Sequence, residues 1–326
     1  MGEPRVSVVL PAYNAEATIS EALESLAAQT YRDFEVIVVD DGSTDDTRTI
    51  GERAGAKVVS LAQNSGVVAA ANRGFAEARG ELIARMDADD FAYPERLAKQ
   101  VAALDANLRW GACATGVLIV GEDVQEGFLR FAGWSNALLS PEEIARERFI
   151  DQPVVNPTTM VRRAVAERFP LRGETGWAED YDFWLRVIGA GVEVGKLPEV
   201  LLDWRDSPGR LTRTGDEYSL AAFSRAKAHF LARMSGKFSI AGAGPIGKSL
   251  AHDLRAEGAE VVAFYDVHPR RIGNTIHGIP VFADTAIIPG GPVLLSAVGV
   301  PGAREKVRAC AAKAGYEEGD NFFCIA

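Results

Sequence analysis

The six residues "RMDADD" at 85–90 set three carboxylates, Asp87, Asp89 and Asp90, directly after the apolar run "ELIA". Like charges this close repel, and the chain already carries a net charge of −10. A solvated turn tolerates such a cluster at little cost, whereas a divalent cation would require it. Asp87 and Asp89, one residue apart, offer the hard oxygen ligands that suit Mg²⁺ or Mn²⁺, and Mg²⁺ typically shares itself with substrate phosphates. On the metal reading, the cation neutralises the aspartates and then a diphosphate. A second acidic pair, Glu179–Asp180 in "WAEDYDFWLRV", can take a proton from a hydroxyl. It can equally cap a helix whose Phe183, Trp184 and Val187 are core.

The elements that must position these groups alternate. "VSVVLPAY", "FEVIVVDDGS", "KVVSL" and "ELIARMD" read as strands. Between them, helical spacing puts Ile19, Leu23 and Leu26 on one face, "STDDTRTIGERAG" supplies N-cap residues and a helix, and "GVVAAANRGFAEARG" is a helix ending at Gly80. Alternating β and α with continuously apolar strands means a parallel sheet covered by helices, whose ligands bind beyond the carboxyl ends of the strands. "PAYN", "DDGS", "QNSG" and "DADD" all fall there. Asp41, Asn14 and the backbone after Pro11 can hold a base or ribose by hydrogen bonds. Residues 94–108 read as helix and 110–120 as strand, while 121–150 carry no legible pattern. "VVNPTTMVRR" reads as strand plus turn, "AEDYDFWLRVIGAG" as a glycine-closed helix, and about 217–234 as a helix leading into the break "MSGK".

Composition narrows the class. The 326 residues suggest two domains, here 1–235 and 236–326. Three well-separated cysteines suggest neither a disulfide framework nor a zinc cluster, and no cationic–apolar leader opens the chain. A cytoplasmic protein is expected, with peripheral membrane contact and self-association left open. From Lys237 onward nine Lys/Arg offset nine Asp/Glu, so the whole excess of negative charge resides in the first 236 residues. Nucleic acid is an unsuitable partner for that surface.

In order and at about the same spacing, "PAYN", "DDGSTD", "NSGVVAAANRG" and "DADD" resemble the motifs of family 2 glycosyltransferases of GT-A fold, densely over 4–105 and more loosely over 150–235. The resemblance implies an inverting, metal-dependent transferase. It would move a sugar from a nucleotide-diphosphate donor to a hydroxyl on a glycan or lipid-linked acceptor, as in cell-surface polysaccharide or glycoconjugate synthesis. Carried over by position, Pro11, Ala12, Tyr13, Asn14 and Asp41 line the nucleoside pocket. Asn64, Gly66 and Asn72 support the donor, Asp87 touches ribose or sugar, and Asp89 binds the metal. Asp90 orients the acceptor or only shapes its loop. Asp180 becomes the general base with Glu179 beside it, and Asn156 belongs to an acceptor-side segment. Many relatives have a basic residue at the position of Ala71; here Arg73 follows instead. Arg205, Arg210 and Arg213 either cap the donor phosphates or pair with Asp203, Asp206 and Asp216.

Beyond the break, "GAGPIG" (Gly242, Gly244, Gly247) follows a strand and opens a helix, and Asp266 ends the next strand. This fits a dinucleotide-binding fingerprint in a small Rossmann-like domain. With about 90 residues it amounts to one mononucleotide half and a little more. Structural, regulatory or oligomerising use, nucleotide binding, and redox catalysis are its three readings. Two rivals for the whole chain are a nucleotidyltransferase making activated sugars, which wants a glycine-rich basic loop that "PAYNAEAT" lacks, and a non-catalytic sugar-nucleotide sensor.

Overall fold

The protein is described by a computed structural model covering residues 2–207, 209–300 and 302–326. Its contacts divide into two units: Met1–Ile144 with Pro153–Thr175 and Glu179–Thr214, and Ala145–Gln152 with Gly176–Ala178 and Gly215–Ala326. Among the described residues no helix is long and apolar enough to cross a membrane.

The first unit begins with β1 (Val6–Ala12), α1 (Ile19–Ala27), β2 (Phe34–Asp40), α2 (Thr47–Arg53), β3 (Lys57–Ser60), α3 (Val67–Glu77) and β4 (Leu82–Arg85). β1 pairs in parallel with both β2 and β4, and β2 with β3, as the alternation requires. Ile19, Leu23 and Leu26 of α1 are buried, with Ala22 and Ser25 between them. α3 stops at Glu77, short of Gly80. The Arg79 amide is taken by Ser7 Oγ and Glu35 Oε1, each at 3.1 Å. A Cβ on Gly80 would lie 2.6 Å from the Ser7 backbone nitrogen, so that glycine serves close packing, not helix capping.

The chain continues through β5 (Phe91–Ala92), α4 (Arg96–Ala106), β6 (Trp110–Val120), α5 (Glu126–Ala137), α6 (Pro141–Glu147), a 3₁₀ turn at Asn156–Thr158, β7 (Met160–Arg162), α7 (Arg163–Arg168), α8 (Glu179–Gly189), β8 (Glu193–Arg205) and α9 (Leu211–Thr214). The eight-stranded sheet runs β3-β2-β1-β4-β7-β6-β8-β5. It is mainly parallel, but β7 lies antiparallel to both β4 and β6, and β5 antiparallel to β8. Residues 121–150, patternless in the sequence reading, contribute α5 and α6; Phe128 and Phe131 of α5 pack on the core. β8 is also absent from that reading, because Lys196, Pro198 and Glu199 interrupt its apolar run. The interruption sits where the β6–β8 register shifts, between Ala114↔Lys196 and Gly116↔Val200, and an irregularity there accommodates a residue with no N–H to give.

The second unit contains α10 (Leu220–Ala232), β9 (Lys237–Ala241), α11 (Pro245–Ala256), β10 (Glu260–Asp266), β11 (Thr275–Ile276), β12 (Ile279–Ala283), β13 (Val293–Ser296), α12 (Ala303–Lys313) and β14 (Phe322–Cys324). Its sheet runs β11-β12-β10-β9-β13-β14, with only β11 antiparallel. Strands therefore extend on both sides of β9. The contact boundary also precedes the "MSGK" break, since α10 belongs with the later elements.

A buried cation ties this unit together. Lys227 Nζ on α10 donates to Ile150 O at 2.7 Å and Ile325 O at 3.0 Å. Burial lowers its ammonium to about 8, with Asp151 opposing that shift, against about 10.4 in an unfolded chain. The folded state gives up the proton first, so the penalty of burying the charge is full below the folded value and fades as pH rises toward the unfolded one. The neutral amine still has donors for both carbonyls. In urea titrations, Lys227→Met should be less stable than wild type by about 1–3 kcal/mol at high pH, having left two carbonyls unpaired. The gap should shrink as pH falls from about 10 to about 8. A pH-independent gap would contradict the assignment.

Candidate active site

β1 and β2 end side by side, Ala12 opposite Asp40, β4 ends opposite Val9 of β1, and the turns that leave β1 and β2 are cross-braced with each other and with the loop before α3. Gly42 adopts φ +72°, and a Cβ there would sit 2.6 Å from the Gln63 carbonyl carbon, so the "DDGS" turn presses directly on the loop that precedes α3. Asp40 Oδ1 accepts the Ser43 amide at 3.0 Å. Asp41, 3% exposed, accepts the Ser65 amide on one carboxylate oxygen and the Gly66 amide on the other, both at 2.8 Å. Asn64 Oδ1 accepts the Gly66 amide as well, at 3.1 Å. Asn14, in left-handed backbone at φ 48°, accepts the Thr44 amide at 2.9 Å, while its own amide donates to Ser43 Oγ. Asp41, Asn14, Asn64 and Gly66 thus form one braced rim. Tyr13, Asn14, Asn64 and Gly66 are exposed on it, with Pro11 half-buried and Ala12 buried beneath.

Asn72 stands apart from that rim. Its Nδ2 donates to Leu171 O at 2.9 Å and its Oδ1 accepts the Leu171 amide at 3.0 Å. Both ends of the amide are thereby used on backbone.

The aspartates follow β4. One carboxylate oxygen from each of Asp87, Asp89 and Asp90 lies within 4.8 Å of the others. Asp87 Oδ1 pairs with Arg85 Nη1 at 2.6 Å, and its Oδ2 faces Arg210 Nη2 at 3.4 Å. Asp90, 2% exposed, accepts the Arg205 amide on Oδ1 at 3.0 Å. Its Oδ2 is buried without a hydrogen-bond partner. Burial pushes the Asp90 carboxyl well above the usual carboxylate range, and Asp87 and Asp89 push it further. Burial raises Asp89 too, with Arg210 opposing.

Two arginines that the sequence reading passed over lie beneath. Arg85 is almost fully buried and donates to Met86 O as well as to Asp87. Arg96, wholly buried, reaches Arg85 O at 2.7 Å and Gln100 Oε1 at 3.2 Å, and burial brings its guanidinium down to about 10. The signal was present: Arg85 ends an otherwise apolar strand, and Arg96 falls on the α4 face of Leu97, Gln100, Val101 and Leu104, all buried.

The three later arginines part company. Arg205 ends β8 and gives Nε to Asp89 O at 3.0 Å and Nη2 to Glu21 at 2.5 Å. Arg210 stacks on the Trp204 ring, 4.5 Å from its centroid, beside Asp87. Arg213 instead pairs with Asp206 and donates to Asp123 O, so it turns away from the triad as a loop ion pair. Asp203 takes the Tyr93 hydroxyl at 2.9 Å. The Asn156 turn stands behind β4: its Thr159 carbonyl accepts the Arg85 amide at 2.9 Å. Glu179 and Asp180 are half-buried in the first turn of α8, where Asp180 Oδ1 accepts the Tyr181 amide at 2.8 Å.

In the second unit Gly242, at φ +106°, and Gly244 form the turn into α11, with Gly247 packed on Gly242. Asp266 is engaged: Oδ2 accepts the Ala243 amide at 2.8 Å and Arg271 Nη1 at 2.9 Å, and Oδ1 accepts the His268 amide. These bonds, offset by burial, lower its carboxyl. It braces the glycine turn where the fingerprint would have it face a ribose.

The family model for glycosyl transferase family 2 matches residues 7–169. The putative glycosyltransferase EpsE of Bacillus subtilis is 32% identical over 228 residues, 67% of this chain and 78% of its own. An uncharacterised glycosyltransferase of Methanocaldococcus jannaschii is 30% identical over 219 residues, 63% of this chain and 72% of its own. The crystal structure of S. aureus TarS 1–349 in complex with UDP is similar at 25% identity and a TM-score of 0.55, over 77% of this chain and 70% of that one. The mannosyltransferase PcManGT from Pyrobaculum calidifontis shares the fold at 22% identity and a TM-score of 0.51, over 78% and 70%. The first sheet, mainly parallel and flanked by helices, is that of the GT-A fold, and the chain belongs to glycosyltransferase family 2.

Proposed function

We propose that this chain transfers a glycosyl group, with inversion, from a nucleoside-diphosphate sugar to a hydroxyl-bearing glycan or lipid-linked acceptor of cell-surface polysaccharide or glycoconjugate synthesis, with Mg²⁺ or Mn²⁺ held at Asp89. The carrying observation is the buried, unpartnered Oδ2 of Asp90 within a cluster of three carboxylates beside the braced turns. An unsatisfied buried carboxylate oxygen is costly, and a hard cation among oxygen ligands would satisfy it. Asp87 and Asp90 complete the donor set. The crystal structure of TarS with UDP supports a nucleotide donor.

On this reading the exposed rim of Tyr13, Asn14, Asn64 and Gly66 receives the nucleoside, with Pro11, Ala12 and Asp41 supporting it from below. Asp41 works by fixing the amides of Ser65 and Gly66 rather than by binding a base through free oxygens. Arg210, fixed by its stack on Trp204, holds positive charge where a diphosphate would lie. A divalent cation held there by Asp87, Asp89 and Asp90 would supply positive charge to offset that of the departing diphosphate. Asp180 accepts the acceptor's hydroxyl proton as that oxygen bonds to the anomeric carbon. The bond from that carbon to the diphosphate breaks, and the electron pair leaves with the nucleotide. The second unit, apart from its short segment Ala145–Gln152, lies outside the 7–169 match, and this reading assigns it no transfer chemistry.

Calorimetry tests the metal. UDP and GDP, titrated with Mn²⁺ present, should bind at least about tenfold more tightly than in EDTA, a difference of about 1.4 kcal/mol. Equal affinity in EDTA would remove the bridging role from the aspartates.

Turnover tests the base. Among UDP-, dTDP- and GDP-sugars, the one whose nucleotide is released fastest serves as donor. Asp180→Asn keeps the shape of the side chain and loses the basic oxygen, so nucleotide affinity should hold while release falls by about 10²–10⁴-fold. Wild-type release by this variant would move the role to another carboxylate.

A further inference from the structure

Asn72 lies one helical turn and a half along α3, on the helix that begins immediately after the Asp41-braced amides of Ser65 and Gly66. Its two-point bond to Leu171 holds that residue as a neighbouring strand would, fixing both distance and orientation. Leu171 is itself buried. The next link runs through Pro170, whose carbonyl accepts Arg186 Nη2 of α8 at 2.8 Å. Arg186 Nε then donates at 2.6 Å to Asp182 Oδ2, in the same first turn of α8 as Asp180, and Asp182 and Arg186 are both nearly excluded from solvent. Hydrogen bonds and the short stretches of backbone between them therefore join the braced turn of β2, through α3, to the turn that carries Asp180.

We infer that Asn72 is a positioning residue for the base. Through Leu171, Pro170 and Arg186 it sets where Asp180 stands relative to the donor-side turns, and it does not bind the donor itself. The inference rests on the reading of Asp180 as base. Nothing else in α3 can replace the link: a shorter side chain does not reach, and a carboxylate would set an oxygen against the Leu171 carbonyl. A misplacement of the order of 1 Å at a reacting group costs up to about 10²-fold in rate, so the loss falls on turnover while the nucleotide rim keeps its own bonds.

The test is a double-mutant cycle on nucleotide release, paired with UDP affinity by calorimetry. Asn72→Ala should lower release by about 10–100-fold and leave UDP affinity within about threefold, a difference of about 0.65 kcal/mol or less. In an Asp180→Asn background the same substitution should add almost nothing, because the base it positions is gone. Asn72→Asp, which preserves side-chain size and the bond to the Leu171 amide, should follow the same pattern and shows by its circular dichroism and UDP affinity that the loss is not unfolding. An equal loss in both backgrounds, or a loss of UDP affinity matching the loss of release, overturns the positioning role while leaving the base intact. Full release by Asp180→Asn alone refutes the base, and the inference with it.

Discussion

Everything around the candidate centre depends on how three carboxylates are kept within 4.8 Å of one another at the end of a buried strand. Burying a lone charge costs several kcal/mol, and a pair repays this only when its remaining donors and acceptors are satisfied. The chain answers with cations of its own. Arg85 and Arg96 lie below the triad, Arg205 wraps its loop and Arg210 covers Asp87. Gln100 extends the polar layer by donating to Cys113 O at 2.7 Å and Thr158 O at 2.9 Å, so that β6 and the Asn156 turn are held by the same network.

This changes the electrostatic account suggested by composition. The net charge of −10 implied that an anionic ligand is repelled unless a cation sits between it and the protein. The structure places guanidinium groups there permanently, and a metal would add to a site already half compensated. What the arginines leave unmet is local: Asp90 Oδ2, which no described donor reaches. The protein's average charge and the charge that a ligand meets are thus separate quantities.

The legible part of the fold was the part written in periodicity. Strands buried on both faces announce themselves as apolar runs, and Ile19, Leu23 and Leu26 announce a helix. β8 did not, because its pairing with β6 tolerates an irregularity around Pro198 that no local pattern records. α5 was missed because its aromatic face is broken by Gly127 and Gly133, and its Phe128 and Phe131 answer to Trp204, 76 and 73 residues away. In the site, residue types were legible and partners were not. The sequence presents Asp41, Asn72, Asp266 and Arg213 as groups available to a ligand. The fold commits them to Ser65 and Gly66, to Leu171, to Ala243 and Arg271, and to Asp206. Partners chosen by the fold, backbone groups for Asp41 and Asn72 and side chains for Arg213, decide such roles, and residue type alone does not encode them.

The pairing of β5 with β8, Phe91↔Asp203 and Ala92↔Leu202, joins segments far apart in sequence, and the Arg205 amide that Asp90 accepts arrives with it. Contacts of such long loop closure form late, after local helices and neighbouring parallel strands. During synthesis on the ribosome, β1 to β4 can meet while the triad still stands in water, its charges hydrated and harmless. Asp90 receives the Arg205 amide only once β8 has emerged, so a nascent chain halted before residue 205 would lack that bond.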